Sequence, residues 1–204
     1  GGDLETARRA CQNALQVRPS FAEAELALAR IELRLGEHAS AESRLRRIRN
    51  SIPTAEPIVL LAEAALAGGR PDEAQGFLSN ARSLLQQQGN RELEGRLQSL
   101  EGRIDEFAGR YDDALTAYQA AISADPLNVG YRLAEARLRL RLGDPVAAAG
   151  QLRSYIDLTG DDRDPNVRSL LGRALWAQGE LEDAAGHLAT AHQLRGSRDV
   201  DAQA

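Results

Sequence analysis

Six glycines divide this 204-residue chain into nearly equal lengths, and that spacing constrains the fold more than any local motif. Gly2, Gly36, Gly69, Gly109, Gly143 and Gly179 stand 34, 33, 40, 34 and 36 residues apart, about one helical hairpin per interval. Five residues after each comes an alanine: Ala7, Ala41, Ala74, Ala114, Ala148 and Ala184. Nine after each the residue is apolar (Cys11, Leu45, Leu78, Tyr118, Leu152, Leu188), and twelve after it is apolar again (Ala14, Ile48, Ala81, Ala121, Tyr155, Ala191). Offsets of 5, 9 and 12 share one face of an α-helix, so each glycine is followed by a helix with one apolar stripe. Seven residues before each of the last five glycines only Ala29, Ala62, Gly102, Ala136 and Gly172 occur, and there two helix axes can approach closely. The glycines read as turns between antiparallel helices, because glycine tolerates the left-handed conformation that ends the first helix.

Helix ends follow the same ruler. Ser20 with Glu23 has the form of a capping box, and Asp164 before Pro165 sets a capping carboxylate ahead of a proline suited to a first helical turn. The long 40-residue interval contains Gln86-Gln87-Gln88-Gly89-Asn90, which predicts a second helix lengthened to Gln88, a stop at Gly89, and Asn90 capping a long helix to Ala108. Ile31 to Leu35 and Leu138 to Leu142 alternate as strands do, but both sit at one offset before a repeat glycine, inside helical windows, and read as helix.

Composition narrows the function. The net charge is −5, and all 25 basic residues are arginine, a balance that repels phosphate unless the arginines segregate; eight aromatics offer few platforms for stacked bases, so no nucleic acid is expected. A single cysteine excludes a disulfide framework or a thiolate zinc cluster, and Cys11 reads as a small hydrophobe. No apolar run approaches the roughly 18 residues that cross a membrane, so no direct membrane insertion is expected, and no targeting segment tells a cytoplasmic from a periplasmic location.

No catalytic residue, cofactor site or metal site is expected. Gly68-Gly69 precedes Arg-Pro rather than the Lys-Ser of a phosphate cradle. His187 and His192, five apart, point to different sides of one helix and read as surface histidines, His187 in a weak exposed pair with Asp183; His38 is as ordinary. No elbow motif anchors a nucleophilic triad.

The small residue late in the first helix, the turn glycine, the alanine, the bulky residue and the second alanine resemble the tetratricopeptide repeat family. Gly102, Gly109, Tyr111, Ala114, Tyr118, Ala121, Asp125 and Pro126 fill the pattern best, followed by Gly172, Gly179, Ala184, Leu188 and Ala191. Gln86, Gly160 and Gly196 replace the closing proline in three units, and Glu101 takes a usually apolar place. The resemblance implies an all-α, right-handed α-solenoid of antiparallel hairpins: a single array over 1–204, with units at 1–20 (second helix only), 21–54, 55–89, 90–127, 128–163 and 164–196, and a tail at 197–204. The half unit at one end, and the lack of a polar cap at either, read as a fragment of a longer protein, with a complete small adaptor as the rival. Absence of lysine suits a GC-rich bacterial gene.

The family's first helices line a concave surface that receives peptides. At six residues before each glycine this chain has Arg30, Glu63, Arg103, Arg137 and Arg173, with Leu33, Leu66, Glu106, Leu140 and Trp176 at three before and Arg34, Ala67, Phe107, Arg141 and Ala177 at two before. The implied lining is Arg30, Leu33, Arg34, Arg103, Phe107, Arg137, Leu140, Arg141, Arg173 and Trp176, a basic row with apolar anchors suited to an acidic, partly apolar protein segment; a solvated arginine face is the alternative. The family's carboxyl-terminal clamp uses Lys and Asn, and lysine is absent here, so that recognition is not carried over. The expected function is a non-enzymatic protein-interaction scaffold. The alternatives are a regulatory or sensory domain of a larger bacterial enzyme or transcription factor, and an envelope scaffold for secretion, pili or polysaccharide export. Oligomeric state is undetermined.

Overall fold

A computed structural model describes residues 2–201, and every regular element among them is an α-helix. In chain order these are α1 (Gly2–Val17), α2 (Ala22–Arg34), α3 (His38–Ile48), α4 (Glu56–Ala67), α5 (Pro71–Gln88), α6 (Arg91–Phe107), α7 (Tyr111–Ala124), α8 (Val129–Arg141), α9 (Pro145–Thr159), α10 (Pro165–Gln178) and α11 (Leu181–Asp201). They fall into two compact units that divide between Arg110 and Tyr111. In the first, α2 packs on α3 and α4 on α5; in the second, α8 packs on α9 and α10 on α11. The strand-like segments are helical, with Leu35 and Leu142 as C-caps. No helix among the described residues is long and apolar enough to cross a membrane.

The turn glycines act as their spacing requires. Gly36, Gly69, Gly109, Gly143 and Gly179 all have φ between 73° and 86°, the left-handed region. At Gly36 the amide donates to Leu33 O at 3.1 Å, and that of Glu37 to Glu32 O at 2.8 Å. The same pair of bonds recurs at Gly69, Gly109, Gly143 and Gly179, a Schellman closure that satisfies carbonyls otherwise left open at the helix end. A side chain at φ near +80° would crowd the backbone, which is why glycine recurs. Gly2 instead heads α1.

Packing reproduces the apolar ruler with few exceptions. Ala41, Ala74, Ala114, Ala148 and Ala184 are buried, as are the small residues Ala29, Ala62, Gly102, Ala136 and Gly172 of the first helices. Ala7, on α1, is exposed. In the first unit the core runs through α2, α3 and α4 around Leu45, Leu60 and Leu61, and through α4, α5 and α6 around Val59, Leu78 and Leu97. In the second it joins α8 to α11 around Leu152, Leu171 and Leu175.

The caps at Asn90 and Asp164 form. Asn90 Oδ1 accepts from the Leu93 amide at 3.1 Å, and Asp164 Oδ1 from those of Asn166 and Val167 at 2.7 and 3.3 Å. Gly89 ends α5 in the left-handed conformation. The box expected at Ser20 does not form: α2 begins one residue later than that box requires, with Phe21 at the N-cap and no side-chain cap. The Phe21 ring is half-buried, and the Arg18 guanidinium lies over it at 5.5 Å. Glu101 occupies its apolar-type position by pairing with Arg82 of α5; burial outweighs that pairing and pushes its carboxyl up.

A charge network links α3 to α5. Glu42 accepts from Arg46 at 2.7 Å and from Arg70, and Glu73 accepts from the same two arginines. The hydrogen bonds from Arg70, then Arg46, hold the Glu42 carboxyl down to about 2 against an ordinary 4.5. A carboxyl depressed in the folded state stabilises above its unfolded value and loses that contribution as pH falls through the folded one. Solvent screening keeps the effect modest. Glu42→Gln is therefore expected to flatten the loss of stability between pH 4.5 and 2, read as denaturation midpoints across that range; an unchanged acid slope would refute the network's role.

Candidate functional site

The first helices of the repeats lie side by side within each unit, α2 beside α4 and α4 beside α6, and in the second unit α8 beside α10. The ruler puts the arginine row on these helices. In the first unit Arg30 is exposed, but its Nε donates to Glu56 Oε1 of α4 at 2.6 Å. Arg34, four residues on, is exposed on the same side of α2. Leu33 is buried in the core with Ala29 and Leu45, so it supports the helix pair and has no surface to offer a partner. Glu63, which interrupts the row, is neutralised by Arg96 of α6. Arg103 is exposed and makes no ion pair among the described residues, and Phe107, one turn on, is 69% exposed.

The second unit presents the barer surface. Arg137 of α8 and Arg173 of α10 are exposed, and neither has an ion-pair partner among the described residues. Trp176, three residues after Arg173, is 67% exposed. Leu140 is half-buried against the core of this unit. The Arg141 guanidinium sits 4.9 Å from the Tyr111 ring centroid, a cation–π contact that orients its stem. The exposed Arg137 and Arg173 guanidiniums have the geometry to fork onto carboxylates, and the Trp176 indole stands in water on the same helix as Arg173.

Three charged residues that the spacing did not single out are buried: Glu32, Arg132 and Glu135. Glu32 accepts from Ser40 Oγ at 3.1 Å and from Arg44 Nη2 at 2.9 Å. Arg132 Nε donates to Pro126 O at 3.1 Å and its Nη1 to Gln151 Oε1 at 3.2 Å. The partners of Glu32 and Arg132 lie on neighbouring helices or turns, so no periodicity along the chain marks them.

The last hairpin carries an open recess of about 250 Å³ lined by Arg168, Glu182, Asp183, Gly186, His187 and Thr190. His187 is half-buried and takes Arg168 as its hydrogen-bond partner, Nη1 to Nδ1 at 2.9 Å, which corrects the exposed pair with Asp183. His192 is exposed, and Cys11 is half-buried on α1. No group of three or more potential metal ligands occurs among the described residues.

Comparison with known proteins agrees with this architecture. Three models of the tetratricopeptide repeat match, over residues 1–57, 54–126, and 100–165 together with 133–197. No curated protein matches the chain in sequence. The crystal structure of the APC/C hetero-tetramer Cut9-Hcn1 superposes with a TM-score of 0.75 at 18% identity; the match covers 95% of this chain and 37% of that one, so the chain spans little more than a third of that relative. TTC0263, a thermophilic TPR protein of Thermus thermophilus, gives 0.69 at 24% identity over 86% of this chain and 92% of its own. MamA gives 0.63 at 14% identity, covering 84% and 96%. At these identities the likeness is one of fold, and repeats of this kind are in general non-catalytic protein-interaction modules. With Schellman-closed hairpins at a 33- to 40-residue spacing and repeat matches along its length, the chain belongs to the tetratricopeptide repeat family.

Proposed function

We propose that this chain is a non-enzymatic interaction scaffold whose first-helix faces receive a partner protein segment bearing carboxylates beside apolar side chains. The observation that carries the reading is the chemistry of the α8–α10 face: Arg137 and Arg173 without ion-pair partners among the described residues, next to a Trp176 left two-thirds in water. Single exposed ion pairs contribute about 0.2 to 1 kcal/mol, so the arginines select a partner rather than hold it. Trp176 supplies the apolar surface whose burial holds it, since interface energy concentrates in Trp, Tyr and Arg. Arg103 with Phe107 repeats the combination on α6 of the first unit. Arg30, already tied to Glu56, contributes less.

The test is binding to a synthetic peptide library that varies carboxylate and apolar content independently. Peptides with both are expected to be enriched. Trp176→Ala should weaken them by more than about tenfold, the scale of an interface hot spot, and joint replacement of Arg103, Arg137 and Arg173 by Glu should remove the carboxylate preference while leaving the melting temperature nearly unchanged. A library without charge preference, or capture unaltered by these replacements, would refute the reading.

A further inference from the structure

One guanidinium holds three segments of the last hairpin together. Arg168 lies near the start of α10, its side chain only 18% exposed. Its Nε donates to the Asp162 backbone oxygen at 2.7 Å and its Nη2 to Asp162 Oδ2 at 2.8 Å, in the connection between α9 and α10. Its Nη1 stands 2.9 Å from His187 Nδ1 on α11. Arginine can only donate, so His187 Nδ1 is the bare nitrogen of a neutral ring and Nε2 carries the hydrogen. A proton on Nδ1 removes the acceptor and sets two cations at hydrogen-bonding distance.

We propose that Asp162, Arg168 and His187 form a proton-operated clasp, in which neutral His187 ties α11 to the α9–α10 connection through Arg168 and acidification releases it. The charged groups around the ring are Arg168 from α10, Asp183 one turn earlier on α11, and Arg153 from α9, itself 3.6 Å from Glu180. Glu182 and Asp183 share the recess with the ring, and Asp162 reaches it only through Arg168. Burial first, then the Arg168 charge, hold the imidazole below its ordinary 6.5; Arg153 acts the same way and Asp183 opposes. The folded state thus binds the proton less well than the opened one, so the clasp is fully engaged above pH 6.5 and weakens as pH falls below it. Because His187 lines an open recess, protons reach it without unfolding.

The clasp is independent of the arginine row, and its test needs no ligand. Hydrogen exchange of the full chain, corrected for intrinsic exchange chemistry, is followed from about pH 7.5 to about pH 5, the span over which a histidine titrates. The wild type is expected to lose protection on acidification in peptides covering 160–164 and 181–192. Arg168→Met should be poorly protected there already at the upper pH, with no further loss. His187→Gln, whose amide oxygen accepts from the guanidinium at every pH, should keep its protection throughout. Flat wild-type protection across the range, or a wild-type-like acid loss in either variant, would overturn the proposal.

Discussion

Replacing Arg139 with leucine is expected to cost about 3 to 5 kcal/mol, the scale on which a buried charge stripped of its partner destabilises a fold. Glu135 of α8 is fully buried. Its Oε1 accepts from Arg139 Nε at 2.9 Å and, from α7, Gln119 Nε2 at 3.4 Å, with Arg139 Nη2 at 2.7 Å. Its Oε2 has no hydrogen-bond partner among the described residues. Arg139 is thus the only countercharge that the bonds to Glu135 supply, and its loss strands a carboxylate out of water. The double replacement Glu135→Leu with Arg139→Leu removes charge and countercharge together and is expected to be close to neutral. Denaturant midpoints of the two single variants and the double complete the cycle. A loss of under about 1 kcal/mol for Arg139→Leu would show that Glu135 does not depend on it.

The second large effect lies at Gly172, where α10 packs tightly against α11. A Cβ at this position would stand 2.8 Å from Leu188 Cγ and 3.1 Å from the backbone oxygen of Ala184. Leu188 is partly exposed and can turn aside, but the Ala184 carbonyl belongs to the helix and moves only if α11 moves. Gly172→Leu is expected to lower stability by about 1 to 3 kcal/mol through overpacking, with a smaller loss for Gly172→Ala. Thermal melting measures both, and an unchanged midpoint for the leucine variant would mean that the repeat register is wrong at this hairpin. Ala114→Leu tests the same seam in the other repeat that fits the family pattern well, since Ala114 is fully buried.

Much of the fold was legible because repetition averages out local ambiguity. One strand-like window proves nothing, but two at the same offset from a turn glycine identify themselves as helix, and both are. The extended α5, the stop at Gly89 and the start of α6 were readable for a related reason: Gln88-Gly89-Asn90 contains a stop and a cap in adjacent residues. Ser20 misled because a capping box is a four-residue signal, and a helix that starts one position later, with the half-buried Phe21 at its N-cap, leaves it unused. Leu33 misled differently. Its offset belongs to the row of exposed side chains, yet the corresponding positions range from buried Leu33 through half-buried Leu140 to exposed Trp176. Side-chain size and the neighbouring helix decide which of these residues reaches water.

The arginine row shows the same division. Four arginines at one offset were visible in the sequence, but that Arg30 is tied to Glu56 while Arg137 and Arg173 carry no ion pair among the described residues depends on which acidic side chains neighbouring helices bring within reach. His187 read as a surface residue because nothing in its own helix announces Arg168, nineteen positions earlier. Turns, helix lengths and the small-residue seam were thus determined by the sequence alone, since they rest on backbone preference and on periodicity within one helix. The burial of Glu135 beside Gln119 of α7, the burial of Arg132 and the Asp162–Arg168–His187 contact were decided only by tertiary structure. Whether a charge is paired or bare is a matter of a few ångströms between helices, and sequence spacing has no term for that distance.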